Sequence, residues 1–171
     1  MQQLRIEQRR DPAAVEAILR SLPQWFGDEQ AIRNYVNAAR RLDSFLAMDA
    51  GTVVGVALVE SHFAESAELA LIAVYPDRRG EGLGRALVDA AAVSAESGGA
   101  KLLQVRTVGP SFEDEGYAQT RAFYRTLGFL PVQEFNGIDW DGPTLILVKV
   151  LGSQEYPYGS EGPGEVGSIS V

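Results

Sequence analysis

The sequence predicts an α/β fold: a mixed sheet of about seven strands with helices on both faces. Three observations predict it. Apolar runs of strand length alternate with runs of helical period. Two strand-like runs, Ser44–Asp49 and Thr52–Ser61, are separated only by Ala50-Gly51, a hairpin signal. A glycine-rich turn, Arg79-Gly80-Glu81-Gly82-Leu83-Gly84, links the apolar run Leu69–Tyr75 to the amphipathic run Leu83–Ala95. At 171 residues, 46% of them hydrophobic, the chain is long enough to bury one sizeable core.

The elements follow in order. Leu4–Arg9 alternates and reads as a first strand. Asp11 with Pro12 starts a helix, as an N-cap followed by proline in the first turn. Val15, Ile18, Leu19 and Leu22 share one face of it, and Pro23 stops it. A second helix runs from Asp28 or Glu29 to Arg41, with Ile32, Tyr35, Val36 and Ala39 inward. The hairpin follows, then a strand Glu68–Tyr75, a helix Leu83–Ala95 closed by Gly98-Gly99, and a strand Lys101–Thr107. Val108–Gly116 reads as an acidic loop, Tyr117–Leu127 as a helix ended by Gly128, and Phe129–Phe135 and Thr144–Leu151 as the last strands. The strands Glu68–Tyr75 and Lys101–Thr107 flank a crossover helix and should be parallel neighbours.

Composition narrows the function. The chain has no cysteine, which excludes disulfides, thiolate metal sites and a cysteine nucleophile, and we expect no metal. A net charge of −8 disfavours nucleic acid and anionic membranes and would steer a cationic amine inward. The start lacks a signal-peptide apolar core, and no apolar run approaches the ~20 residues of a membrane span. A cytoplasmic protein is expected. Residues 1–151 read as one domain. Residues 152–171, with five glycines, four serines and two prolines, read as a tail, either flexible or an arm on a partner subunit with Tyr156, Tyr158, Ile169 and Val171 as anchors. The second reading suggests a possible homodimer.

The glycine turn carries the chemistry. A strand ending in glycines that feed a helix presents backbone N–H groups at the positive end of a helix dipole, which suits a diphosphate. A dinucleotide site would place its glycines after the first strand, and a P-loop would follow them with Lys-Ser/Thr; neither is the case. The segment Arg79-Gly-Glu-Gly82-Leu-Gly84, after Val74-Tyr-Pro76, resembles the acetyl-coenzyme A motif of the GCN5-related N-acetyltransferases (GNAT), Gln/Arg-x-x-Gly-x-Gly/Ala. Ala122-Phe123-Tyr124-Arg-Thr-Leu127-Gly128-Phe129 resembles the last helix of that family, in the right order.

The resemblance, over about residues 1–151, implies the acyl-CoA N-acyltransferase fold, acetyl-CoA as cofactor, and acetyl transfer to a primary amine by direct attack in a ternary complex. It implies that the two parallel strands splay, that the diphosphate lies on Gly80, Glu81, Gly82, Leu83, Gly84 and Arg85 with Arg79 assisting, and that the pantetheine arm lies along Leu71, Ile72, Ala73 and Val74. One amide, of Ile72 or Ala73, would polarise the thioester carbonyl. Tyr124 stands where the family keeps a general acid for the leaving sulfur. Glu68, at the start of the cofactor strand, is the first candidate base; Glu60 and His62 are the others, and a water chain is a further route.

The family often has an asparagine where this chain has Tyr117, with Thr120 and Arg121 in place of a usual Ala-Ile pair. Arg121 would reach a phosphate or pair with an acid. Glu113-Asp114-Glu115 would attract a cationic acceptor or be a solvated loop. Trp25 and Phe26 would stack on a substrate or cap the core, and Trp140 would line the acceptor side or sit in a dimer contact. The acceptor is expected to be a small-molecule amine; a protein amine and a non-catalytic acyl-CoA-binding module are the alternatives.

Overall fold

Asp11 caps the first helix because its carboxylate accepts the otherwise unpartnered Ala14 N–H at 3.0 Å, and Pro12 needs no partner there. The structure is a computed structural model that describes residues 4–152; the tail reading, with Tyr156, Tyr158, Ile169 and Val171, lies outside the described residues. Strand β1 (Arg5–Gln8) precedes helix α1 (Pro12–Arg20), whose Val15, Ile18 and Leu19 are fully buried. Asp28 caps α2 (Glu29–Ala38) by accepting the Gln30 N–H. That helix stops short of the expected Arg41. The chain turns at Ala39–Leu42, and the Arg10 guanidinium donates to the carbonyls of Arg41 and Leu42.

There follow β2 (Asp43–Asp49), β3 (Thr52–Phe63), β4 (Ser66–Val74), α3 (Leu83–Ser97), β5 (Leu102–Val108), α4 (Glu115–Thr126), β6 (Leu130–Asn136) and β7 (Pro143–Val150). The seven strands form one sheet in the order β1-β2-β3-β4-β5-β7-β6. Every pair is antiparallel except β4–β5, the expected parallel neighbours. The β3–β4 hairpin is longer than expected: both strands run to the Ala64-Glu65 tip, so His62 and Phe63 are strand residues. Phe129 precedes β6 and is buried in the core. Residues Pro76–Arg78 form a short 3₁₀ turn, which was not expected.

Alternate residues of the central strands feed two apolar layers. One holds Leu87, Val88, Leu103, Phe129 and Leu147 beneath α3 and α4; the other holds Ile18, Leu19, Ile32, Leu58 and Leu71 beneath α1 and α2. At about 1.5–3 kcal/mol for each large side chain buried, these layers fix the register of the sheet.

The consequential irregularity is in β4. Its ladder with β5 has only three pairs, Ser66↔Leu102, Ala67↔Leu103 and Glu68↔Gln104. Beyond Glu68 the register with β3 slips, with Leu69 opposite Val59 and Leu71 opposite Leu58, leaving Ala70 as a bulge. There β5 continues along β7 and leaves β4. No described helix is long and apolar enough to cross a membrane.

Candidate active site

The split leaves a strip of β4 backbone without a strand on one side. The Tyr75 N–H donates to the Val54 carbonyl at 3.2 Å, so it faces β3. Strand alternation then turns the N–H and C=O groups of Ile72 and Val74 toward the gap that β5 has left. A cavity of about 540 Å³ occupies the gap. Ile72, Ala73 and Val74 form one wall, and Arg79, Gly80, Gly82, Leu83, Gly84 and Arg85 one end. Helix α4 supplies Gly116, Tyr117, Thr120, Phe123 and Tyr124, and the α1–α2 connection supplies Leu22, Trp25 and Phe26.

The glycines of the loop have two distinct reasons to be there. Gly80 and Gly82 adopt φ of +82° and +79°, a region that side chains rarely tolerate, and an added Cβ would meet nothing within 4 Å. The surface beside them is therefore bare backbone, a cradle that a Cβ would fill. Gly84 has no such φ; a Cβ on it would stand 3.0 Å from Phe123 Cζ, so its bareness lets α4 approach α3. Phe123, like Gly116, was not singled out from the sequence. The signal was its place beside Tyr124, one helical step from the marked tyrosine.

The remaining expected residues are divided. Leu71 does not line the cavity; its side chain belongs to the layer under α1 and α2. Glu81 does not line it either: its carboxylate accepts from Arg78 at 2.7 Å. Arg78 also donates to Asp49 at 2.9 Å, so of two adjacent arginines it is committed to carboxylates while Arg79 lies over the Trp25 ring, 5.8 Å from its centroid.

Tyr124 is 5% exposed and lines the cavity, with its ring against Phe123 and Phe129. Its hydroxyl makes no hydrogen bond to a described residue. Burial pushes the phenol well above its ordinary value, with the nearby Tyr35 phenol adding to it. Tyr124 therefore stays protonated at neutral pH and is a hydrogen-bond donor.

Glu68 lies where β4 and β5 part, outside the cavity lining, and is 4% exposed. Its carboxylate accepts from Arg106 Nε at 2.8 Å and Gln104 Nε2 at 3.1 Å, and it contacts His62 Nε2 at 2.5 Å. Burial pushes its pKa up, but the bonds from His62 and Arg106 outweigh burial and hold it below the usual carboxylate range. Arg106 donates onward to Asp139 at 2.6 Å. Burial and the Asp139 charge raise the Tyr35 phenol, so this polar cluster extends across to α2. Of the other candidate bases, Glu60 is paired with Arg41 at 2.9 Å, and His62 is engaged with Glu68.

The acidic run is exposed: Glu113 and Asp114 lie in the loop before α4 and Glu115 begins the helix, which fits the solvated reading. Asp114 caps α4 by accepting the Tyr117 N–H at 3.0 Å, and Glu115 lies in the first turn, where the helix dipole favours it. Arg121 lies outside the cavity lining; it donates to the Val108 carbonyl at 2.9 Å and its charge helps to hold the Glu134 carboxyl below the usual range, while the Thr120 hydroxyl donates to the Gly116 carbonyl. Trp140 lies outside the cavity lining, its ring against Phe112 and its N–H toward the Pro143 carbonyl.

Comparison with known proteins bears on the fold and the family. Among solved structures, a GNAT-family protein from Desulfovibrio desulfuricans superposes with a TM-score of 0.75 at 20% identity, covering 88% of this chain and 100% of that one. An aminoglycoside 6'-N-acetyltransferase complexed with coenzyme A gives 0.70 at 16% identity, covering 88% and 98%. The ribosomal-protein-S18-alanine N-acetyltransferase from Escherichia coli gives 0.67 at 22% identity, covering 92% and 99%. At these identities the likeness is one of fold. No curated protein matches the chain in sequence. The family described as Acetyltransferase (GNAT) domain matches residues 40–131, over half of the chain, from the turn after α2 into β6; the chain belongs to the GNAT acetyltransferases.

Proposed function

We propose that the chain is an acetyl-CoA-dependent N-acetyltransferase that transfers an acetyl group to a primary amine of a small molecule, with both substrates bound together. The observation that carries this reading is the continuity of one cavity from the bare-backbone glycine loop, along the unpaired strip of β4, to the buried phenol of Tyr124. The residues fit the cofactor. Gly80 and Gly82 leave amides accessible to a diphosphate, Arg79 and Arg85 stand beside them as cations, and Ile72 and Val74 offer strand-like donors and acceptors to an amide-bearing arm.

Bound acetyl-CoA supplies an activated thioester. The chain supplies the rest. The Ile72 N–H is a fixed donor for an acyl oxygen. Tyr124 holds a proton at its phenol oxygen, its ring packed against Phe123 and Phe129, and offers a hydrogen bond to sulfur. Its raised pKa makes stabilisation of a thiolate its larger contribution and complete proton transfer the smaller one. Glu68, ionised at neutral pH, draws the cationic amine and accepts its proton through water, since it does not itself line the cavity.

One observation favours a second reading. Glu68 is held by three partners, and a base so engaged suits a module that binds acyl-CoA without turnover. Calorimetry with acetyl-CoA, followed by a screen of amines with thiol release as the readout, separates the readings. Binding with thiol release on small amines is the expected outcome. Binding without release selects the module, release only with peptide amines selects a protein acceptor, and no binding at millimolar cofactor removes the assignment. We also propose a cytoplasmic location and a homodimer, the latter testable by sedimentation.

A further inference from the structure

Trp25 follows Pro23 in the connection between α1 and α2. The backbone amides of Trp25 and Phe26 both donate to the Leu22 carbonyl, at 3.0 and 2.9 Å, so the indole is carried on a hydrogen-bonded turn. Its ring crosses to the opposite wall of the cavity. There it meets Tyr117 edge-on, with centroids 4.9 Å apart and planes at 87°. Gly116 provides the notch: a Cβ on that residue would stand 2.7 Å from Trp25 Cη2. On the loop side the Arg79 guanidinium lies over the same ring. Trp25 thus meets both Arg79 at the loop end of the cavity and α4 on the wall facing the β4 strip.

The indole N–H is buried and has no acceptor among the described residues. A buried donor without a partner is costly, and native interiors contain few of them. The groups around it explain its position but not its missing bond. A cofactor arm rich in amide carbonyls is a partner of the right chemistry, entering a cavity that this ring covers.

Resting on the acetyl-CoA reading above, we infer that Trp25 is a cofactor-binding residue: a movable roof whose indole N–H, freed from the Gly116–Tyr117 notch, donates to an amide carbonyl of the pantetheine arm. The ring moves about its own side-chain bonds, because its backbone is tied to Leu22. Tyr117 is the stop against which the ring rests when the arm is absent.

The test compares acetyl-CoA with the nucleotide half of the cofactor, 3'-phosphoadenosine diphosphate, by calorimetry on the full chain and on Trp25→Phe. The variant keeps an aromatic ring and loses the N–H. We expect acetyl-CoA to bind about tenfold more weakly to Trp25→Phe, with the nucleotide half unchanged. Unchanged acetyl-CoA affinity, or an equal loss for both ligands, would overturn the inference. Wild-type protein that binds neither ligand would overturn the function reading itself, a different result. Should Trp25→Phe fail to fold, the Trp140→Phe protein leaves Trp25 as the lone tryptophan, excited selectively at the red edge of the indole band. Its emission is expected to shift on saturation with coenzyme A and not with the nucleotide half; no shift with coenzyme A sinks the proposal.

Discussion

Two polar groups lie on either side of the place where β4 and β5 part, and they are treated in opposite ways. Glu68, before the split, is satisfied by three partners from β3 and β5. Tyr124, facing the cavity beyond it, has no partner among the described residues and is surrounded by rings. A carboxylate buried with its donors present is a structural joint, because each bond offsets desolvation. A phenol buried without one is a donor held ready for something absent from the chain. The contrast suggests that direct contact with a ligand falls to the group whose hydrogen-bonding capacity is left over, while Glu68 is a joint first and a proposed proton acceptor only through water, and it predicts unequal consequences for removing each group.

The largest effect is expected at Tyr124. Removing one hydroxyl in Tyr124→Phe should lower turnover about 10²–10⁴-fold while acetyl-CoA affinity changes little, if the group acts on the leaving sulfur as proposed. Because burial raises the phenol above its ordinary 10.0, turnover should show no loss from its ionisation between pH 7 and pH 10. Steady-state kinetics with calorimetry checks both statements. Equal turnover in the variant would abolish the contrast, leaving Tyr124 as core packing.

Glu68→Gln should act on stability first. Losing the charge while keeping the shape weakens bonds to His62, Gln104 and Arg106, at about 1.5–3 kcal/mol for a charged hydrogen-bonding group. The sign with pH follows from the lowered pKa. The stabilisation is complete above the ordinary carboxylate value of 4.5 and fades as pH falls through the lower folded value. Urea unfolding of the two proteins should therefore show a gap at pH 7 that shrinks below about pH 4.5. A gap of constant size down to pH 3 would mean the charge is not what holds the joint.

The same contrast explains what was legible in the sequence. The strand–glycine–helix passage was readable because it is local: an apolar run, glycines with a conformational need, then a helical face, all within residues 69–95. The parallel neighbours followed from the crossover helix. The Glu68 cluster was not readable, because Gln104, Arg106 and Asp139 reach it only through sheet register and loop closure. Trp25 and Tyr117 were each noticed, but their contact joins α1–α2 to α4 and has no local signature. Asp114 was legible only in part. Its charge was read as an acceptor loop or a solvated one, and its place one residue before a helix makes it a cap as well.

The smallest effects separate the glycines. In Gly82→Ala the Cβ meets nothing within 4 Å, so the cost is backbone strain at φ +79°, about 1–2 kcal/mol. The same methyl stands on the bare surface proposed for the diphosphate, so cofactor affinity should fall with stability. In Gly84→Ala the backbone is helical and alanine gains up to about 1 kcal/mol of propensity, but the Cβ pushes on Phe123 Cζ at 3.0 Å. That ring is half-buried and lines the cavity, so it yields toward the space the cofactor arm would fill. Stability should then change little, and acetyl-CoA should weaken while the nucleotide half binds as before. Melting curves and calorimetry on the pair decide it. If Gly84→Ala instead melted lower and Gly82→Ala bound the cofactor normally, the loop would be a packing device, and its bare amides would have no ligand to explain.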